Sequence, residues 1–501
     1  SVSVLVTVPR DRFNATLRKR LQALFRERYE TTTVDYRLSL GETGDARIHF
    51  TVWLEGPVPM VPFDELEAEV LALARTWEDR LRSALSSFVG AESARSLAGR
   101  WSDRFPEYYR ISTPLPLVAG DVMALDHLTR SGTRLSVGLQ NEAADGERLT
   151  RIAVYRLDGT LDLSAILPLL EHMGLRVIEE VPTRLLGDDG DVFIHDIGVL
   201  GPDGRQLEIE QCGDRVAATL TAALLGSTES DSLHRLIVAS DLDHEQIGIL
   251  RAYRTYWRLV TPSFSLRYIN DAFAENPEIA AKLVRLFAAR FGSEADEATE
   301  AALRAEILDD LDAGDSLDQD RILRGFAGLI EATMRTNAYR PERSSLSFKL
   351  RSALVPEMPE PTPTFEIFVS ARDVEGVHLR GSRIARGGIR WSTRREDYRT
   401  EVLGLMKAQM TKNAVIVPSG AKGVFVLRGG DQSPEAVRAA YETFIRGLLD
   451  VTDNRISGEI VPPVGVRVHD EPDPYLVVAA DRGTAAFSDL ANAIAAEYGF
   501  W

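Results

Sequence analysis

The sequence predicts a multidomain protein of mixed α/β and α+β class: two ferredoxin-like βαββα units, a helical region, then a mostly parallel α/β domain. Three observations carry this expectation. The chain has 501 residues, and at roughly 150 residues per core that length implies about three domains. The order strand, helix, strand, strand, helix is read twice before residue 230. Past Pro356, Pro359, Pro361 and Pro363, which enforce extended backbone, the pattern changes to strands alternating with helices. The boundaries expected are 1–95, 96–230, 231–345 and 346–501.

In the first unit, residues 2–8 form a β-branched run, as strands do. Residues 13–29 place Leu17, Leu21, Leu24 and Phe25 on one helical face. Residues 31–40 and 47–54 alternate apolar and polar positions around a turn at 41–45. Residues 63–88 read as one long amphipathic helix. The second unit repeats the order: strand 148–156, helix 163–173 closed by Gly174, strands 175–185 and 192–199 around a turn at 187–190, helix 215–225. Helices are then expected over 247–259, 277–291, 294–311 and 319–335, with Asn276 capping before Pro277. The acidic stretch 293–320 reads as a solvated helical face. In the last region the expectation is strand 365–370, a glycine-rich turn at 386–390, helix 401–410, strand 414–417 running into a second glycine-rich turn that holds Lys422, strand 475–480, and a helix to Tyr498.

Composition narrows the function classes. Apolar residues make up 44% and charged residues 27%, as in globular chains, which excludes a largely disordered protein. A net charge of −17 argues against a nucleic-acid surface. No apolar run is long enough for a membrane-spanning helix. Residues 1–10 lack the pattern of a secretory signal. Cys212 is the sole cysteine, so neither an internal disulfide nor a cysteine-rich zinc site is expected, and the compartment read from it is the cytoplasm. The eight histidines are scattered, and no metal site is expected; His195-Asp196 reads as part of a structural turn. The opening serine and the apolar close Tyr498-Gly-Phe-Trp501 lead us to expect a piece of something longer.

The chemistry concentrates in one ordered set. Lysine is scarce beside arginine, yet Lys407, Lys412 and Lys422 fall within sixteen residues. A buried lysine loses its proton more readily than an arginine, so it serves as acid or base near neutral pH. Asp481 stands at the carboxyl end of the apolar strand Leu476-Val-Val-Ala-Ala480, where open α/β sheets bind ligands. Lys422 and Asp481 therefore form a candidate acid/base pair. Gln409 and Lys412 lie three apart on one helical face and together suit a carboxylate. Arg386, beside Gly387 and Gly388, suits a second one, so the implied ligand is a small diacid. Lys407 lies off the buried stripe formed by Val402, Leu405 and Met406 and reads as a surface charge. Gly420-Ala-Lys-Gly423 is not a phosphate loop, because no Ser or Thr follows the lysine.

The string from Arg386-Gly-Gly-Ile-Arg through Gln409-Met-Thr-Lys412 to Pro418-Ser-Gly-Ala-Lys-Gly423 resembles the amino-acid dehydrogenases, and the large bacterial NAD-specific glutamate dehydrogenases in particular. Those carry ACT-like domains ahead of a helical region and a catalytic region, and the motifs cover residues 365–501. The resemblance implies NAD-dependent oxidative deamination of L-glutamate to 2-oxoglutarate and ammonium. It implies that Lys422 activates the water attacking an iminium intermediate, that Asp481 handles the amine proton, and that Lys412 and Gln409 hold the α-carboxylate. Arg386 stands where classical members have a lysine for the side-chain carboxylate, and Val424 where many have a glycine. Amino-acid effectors at the ACT-like units and a homo-oligomer, a tetramer by analogy, are also implied. No strand, Gly-x-Gly-x-x-Gly turn and helix occurs in the chain, so the cofactor domain is expected elsewhere and this chain alone is expected to be inactive. The competing reading is an amino-acid-sensing or assembly module with a noncatalytic α/β domain.

Overall fold

The computed structural model describes residues 1–501 except 41–44, 143–147, 158, 188–189 and 413–416, with backbone alone at 11, 40 and 409–412. Two units are distinguished. The first comprises Ser1–Gly138, Ala153–Thr160 and Val181–Asp196; the second comprises Leu139–Ile152, Leu161–Glu180 and Ile197–Trp501.

The first unit opens with β1 (Val2–Pro9), α1 (Ala15–Arg28), β2 (Val34–Leu40), β3 (Asp45–Val52) and α2 (Phe63–Ala74). The Asn14 side chain accepts the Leu17 N–H at 2.8 Å and starts α1. The strands align β1-β3-β2, with β3 antiparallel to both neighbours, and their inner face meets Leu17, Leu21 and Phe25 of α1. The turn expected at 41–45 lies, over 41–44, outside the described residues, as do residues 188–189 of the turn expected at 187–190. The single helix expected over 63–88 is two, α2 and α3 (Trp77–Leu85). The break has a local cause: Thr76 and Asp79 form a reciprocal capping box, which starts a new helix at Trp77. Then α4 (Ala91–Trp101), α5 (Glu107–Ser112) and α6 (Leu115–Ser131), which the sequence reading had not assigned, bury Leu97, Trp101, Tyr109, Val118 and Leu125 in one core.

Next come β4 (Leu135–Asn141), β5 (Thr150–Arg156), α7 (Leu163–His172), β6 (Arg176–Leu185), β7 (Val192–Leu200) and α8 (Ile209–Leu224). The sheet order is β4-β5-β7-β6. His195 and Asp196 lie within β7, so they belong to a strand and not to a turn.

Helices α9 (Arg235–Ala239), α10 (His244–Val260), α11 (Leu266–Glu275), α12 (Pro277–Phe291), α13 (Glu297–Asp312) and α14 (Leu317–Ala332) follow. Asn276 precedes α12 but its side chain does not cap it; the amide donates instead to Ala272 O at 2.8 Å and Gln319 Oε1 at 3.0 Å. The helix expected to reach Arg335 stops at Ala332, because Thr333 opens β8 (Thr333–Thr336).

The remaining elements are β9 (Leu346–Arg351), β10 (Phe365–Ser370), β11 (Val374–Arg380), β12 (Ala385–Trp391), α15 (Tyr398–Lys412), β13 (Ser419–Leu427), α16 (Pro434–Leu449), β14 (Asn454–Ile456), β15 (Glu459–Val461), β16 (Val477–Ala480) and α17 (Ser488–Glu497). Seven strands make one sheet in the order β16-β12-β13-β11-β10-β9-β8. The mostly parallel sheet expected from the sequence is therefore corrected. Only β16-β12 and β12-β13 are parallel; the other four pairings are antiparallel. The cause is connection length. Three residues join β10 to β11, a link that permits only an antiparallel pair, whereas α15 provides the crossover from β12 to β13.

Candidate active site

Lys422 does not sit in a turn. It lies inside β13, the strand between β12 and β11. The glycines that suggested turns are small for a packing reason. A Cβ on Gly387 would sit 1.5 Å from Ala421 O, and one on Gly423 would sit 2.8 Å from Ile389 Cγ1. The turn expected at 386–390 is likewise strand β12. The strand expected over 414–417 falls, for 414–416, outside the described residues.

Register brings the candidate pair together. Ile389 aligns with Gly423 on one side and with Ala480 on the other, so Gly388 stands between Lys422 and Ala479. Side chains alternate faces along a strand, so Lys422, Gly388 and Asp481 share one face. Lys422 Nζ donates to Asp481 Oδ2 at 2.9 Å, across the position where residue 388 lacks a side chain. A Cβ there would lie 2.8 Å from Asp481 Cβ and 3.0 Å from its Oδ2. Both partners keep a solvent edge, with 22% and 17% of their side chains exposed.

Asp481 is fixed on its other side too. Arg390 Nη2 reaches Oδ1 at 3.1 Å, and the Arg482 N–H donates to the same oxygen at 2.7 Å. Thr484 Oγ1 accepts the Asp481 N–H at 3.0 Å and donates to Ile389 O at 2.6 Å, tying the end of β16 to β12. Burial pushes the Asp481 carboxyl up; the hydrogen bonds from Lys422, the Arg482 N–H and Arg390 outweigh it and hold it down at about 2. It is therefore a carboxylate throughout the neutral range. Arg390 Nη1 also meets Glu401 Oε1 at 3.1 Å, and Ser392 donates to Glu401 Oε2 at 2.7 Å. Sequence reasoning assigned no role to Arg390, Glu401, Ser392 or Thr484, because only strand register reveals what they hold.

Arg386 precedes Gly388 by two residues and so shares its face, about 7 Å along the strand. It is exposed and has no hydrogen-bond or ion-pair partner among the described residues. Gln409 and Lys412 lie in the last turn of α15, which packs on β13; their side chains lie outside the described residues. The foot of that helix is rigidly set. Arg399 Nε meets Glu366 Oε2 at 3.0 Å, and Tyr256 donates to the same oxygen at 2.9 Å, all buried. Lys407 is exposed.

The opposite face of the sheet holds a balanced buried network that the sequence reading did not anticipate. Leu379 is the register partner of Lys422, so Arg380 points to the other face. There Arg335, Lys349 and Arg380 meet Asp453, Asp470 and Asp473 at 2.5–2.7 Å, each side chain at most 3% exposed. Arg380 Nη2 also holds Tyr475 O at 3.0 Å, which clamps the segment leading into β16 and hence into Asp481. Among the described residues no group of three His, Cys, Asp or Glu side chains could hold a metal ion, and no helix is long and apolar enough to cross a membrane.

The profile described as "Bacterial NAD-glutamate dehydrogenase, catalytic domain" matches residues 306–501. Those described as "Glutamate dehydrogenase, helical motif 3", "ACT2 domain" and "ACT3 domain" match 228–293, 1–78 and 134–212. The chain is 40% identical to an NAD-specific glutamate dehydrogenase of Pseudomonas aeruginosa, over 99% of this chain and 32% of that protein. It is 40% identical to one of Halomonas elongata, over 100% and 32%, and 38% identical to one of Mycobacterium tuberculosis, over 100% and 33%. It spans about a third of the length of these curated relatives. On these matches, the chain is similar along its whole length to the bacterial NAD-specific glutamate dehydrogenases with ACT domains.

Proposed function

We propose that these residues form the substrate-binding part of an enzyme that oxidatively deaminates L-glutamate to 2-oxoglutarate and ammonium with NAD. The observation that carries the reading is the Lys422–Asp481 contact at 2.9 Å, reached across Gly388, with the unpartnered cation of Arg386 on the same face. A diacid suits that face: among the described side chains, Lys422, Arg390 and Arg386 outnumber Asp481 and Glu401 by one charge. In this reading Arg386 meets the side-chain carboxylate and Gln409 with Lys412 meets the α-carboxylate. Asp481, held ionised, takes the proton of the substrate amine. Lys422, aimed into the cleft by Asp481, binds and orients the water that adds to the iminium carbon; collapse of that adduct releases ammonium and leaves the 2-oxo acid.

NAD, when bound, accepts the hydride. Two observations support a dinucleotide site elsewhere: the sequence holds no Gly-x-Gly-x-x-Gly motif, and the space beside Gly387 and Gly388 is filled by Ala421 and Asp481. We therefore assign cofactor binding to a part of the protein outside these residues. The same proposal includes ACT-like units at 1–95 and 96–230 that take amino-acid effectors, a helical region at 231–345, the substrate domain at 346–501, a cytoplasmic location and a homo-oligomeric whole.

The test is NAD reduction measured at 340 nm. The whole protein is expected to form NADH only when L-glutamate is supplied, and the 501-residue chain alone to form none. A whole protein inert toward glutamate, or turnover by the chain alone, would sink the reading.

A further inference from the structure

Helix α10 carries a glycine in its interior, Gly248. Glycine inside a helix is destabilising relative to alanine, and close packing is the usual compensation. Here there is none: a Cβ on Gly248 would meet nothing within 4 Å. A cavity of about 300 Å³ lies over it. Four segments build the wall: residues 227–229 after α8, the first turns of α10, residues 343–346 leading into β9, and residues 370–372 at the end of β10 and in the turn to β11.

The lining is chosen for acceptors. Arg251, Arg343 and Arg372 all reach it. Each is tethered by a neighbour: Arg251 Nε to Asp231 Oδ2 at 3.1 Å, Arg343 to Ala338 O at 2.6 Å, Arg372 to Gly226 O at 2.5 Å. A guanidinium has five N–H donors, so each tether orients a group that still has donors to offer. Thr228, Ser344 and Ser370 add hydroxyls. His244 lines the cavity as well, and its buried Nδ1 has no partner among the described residues. Two carboxylates oppose the cations; Glu229 is committed to Arg428 and Arg251 to Asp231, which leaves Glu245 against the guanidinium groups of Arg343 and Arg372.

We propose that this cavity is a binding site for a small polyanion bearing carboxylate or phosphate groups, seated on the bare backbone of Gly248 and gripped by Arg343 and Arg372. It shares no residue with the Lys422 cleft and does not depend on the function proposed there.

Calorimetric titration of the 501-residue chain with citrate, and separately with pyrophosphate, tests it. Saturable binding of at least one probe is expected; the probe that binds says whether carboxylate or phosphate is the natural chemistry. Gly248→Leu should abolish the binding by filling the cavity, and Arg372→Gln should weaken it at least tenfold, both with the melting temperature retained. Lys422→Ala should leave it unchanged. No saturable binding of either probe, binding that survives Gly248→Leu, or binding lost with Lys422→Ala would overturn the proposal.

Discussion

A missing side chain organises the cleft. Gly388 sits between two strands that each supply one charged group, and its bare backbone lets the Lys422 ammonium cross to Asp481. Even a methyl group there would stand 2.8 Å from Asp481 Cβ. Gly388→Ala is therefore expected to push the carboxylate off the ammonium. Misplacement on the order of 1 Å costs roughly a hundredfold in turnover. The check is kcat of the whole protein carrying that change, with its far-ultraviolet dichroism unaltered; turnover at the wild-type rate would show that residue 388 does not gate the contact. At this scale the sequence was informative about Lys422 and Asp481 as a pair, which the structure brings into contact at 2.9 Å. It was silent about Arg390 and Glu401. An arginine followed eleven residues later by a glutamate is a common surface pattern, and only the pairing of β12 with β16 and the placement of α15 turn it into a clamp on Asp481.

Among the elements, long periodic segments were legible and glycine-rich ones were not. Strand β10 and helix α12 match their expected bounds, because an apolar run flanked by turn residues and a proline-opened amphipathic stretch each have one reading. Strand β13 was mistaken for a turn because Gly420 and Gly423 imitate one, whereas steric crowding from the neighbouring strand is what demands a glycine at 423. The direction of pairing was misjudged for a related reason: the short link between β10 and β11 outweighs the strand-helix alternation that suggested a parallel sheet. The division between α2 and α3 was written in the sequence but overridden by the apolar periodicity running through it. Thr76→Ala removes one half of the capping box and should destabilise the chain by about 1 kcal/mol, read as a lowered urea midpoint at unchanged slope. An unshifted midpoint would mean that tertiary packing, not the cap, sets the start of α3.

On the scale of the whole molecule, the order of ACT-type units, helices and a mixed sheet agrees with the order of the family models that match it. Within the second unit the two faces of the seven-stranded sheet divide the labour. One presents Lys422, Asp481 and Arg386; the other buries three cations against three carboxylates and thereby fixes the segment that delivers Asp481. Buried charges in such a network are costly unless each is paired, and here the count balances. The account as a whole depends on Lys422 acting within that cleft. The direct measurement is steady-state glutamate oxidation by the whole protein with Lys422→Ala, run beside a melting curve. General acid–base and water-orienting contributions are worth roughly 10²–10⁴ in rate, so kcat should fall by that factor while the melting temperature holds. A Lys422→Ala protein that turns over glutamate at close to the wild-type rate would contradict the account.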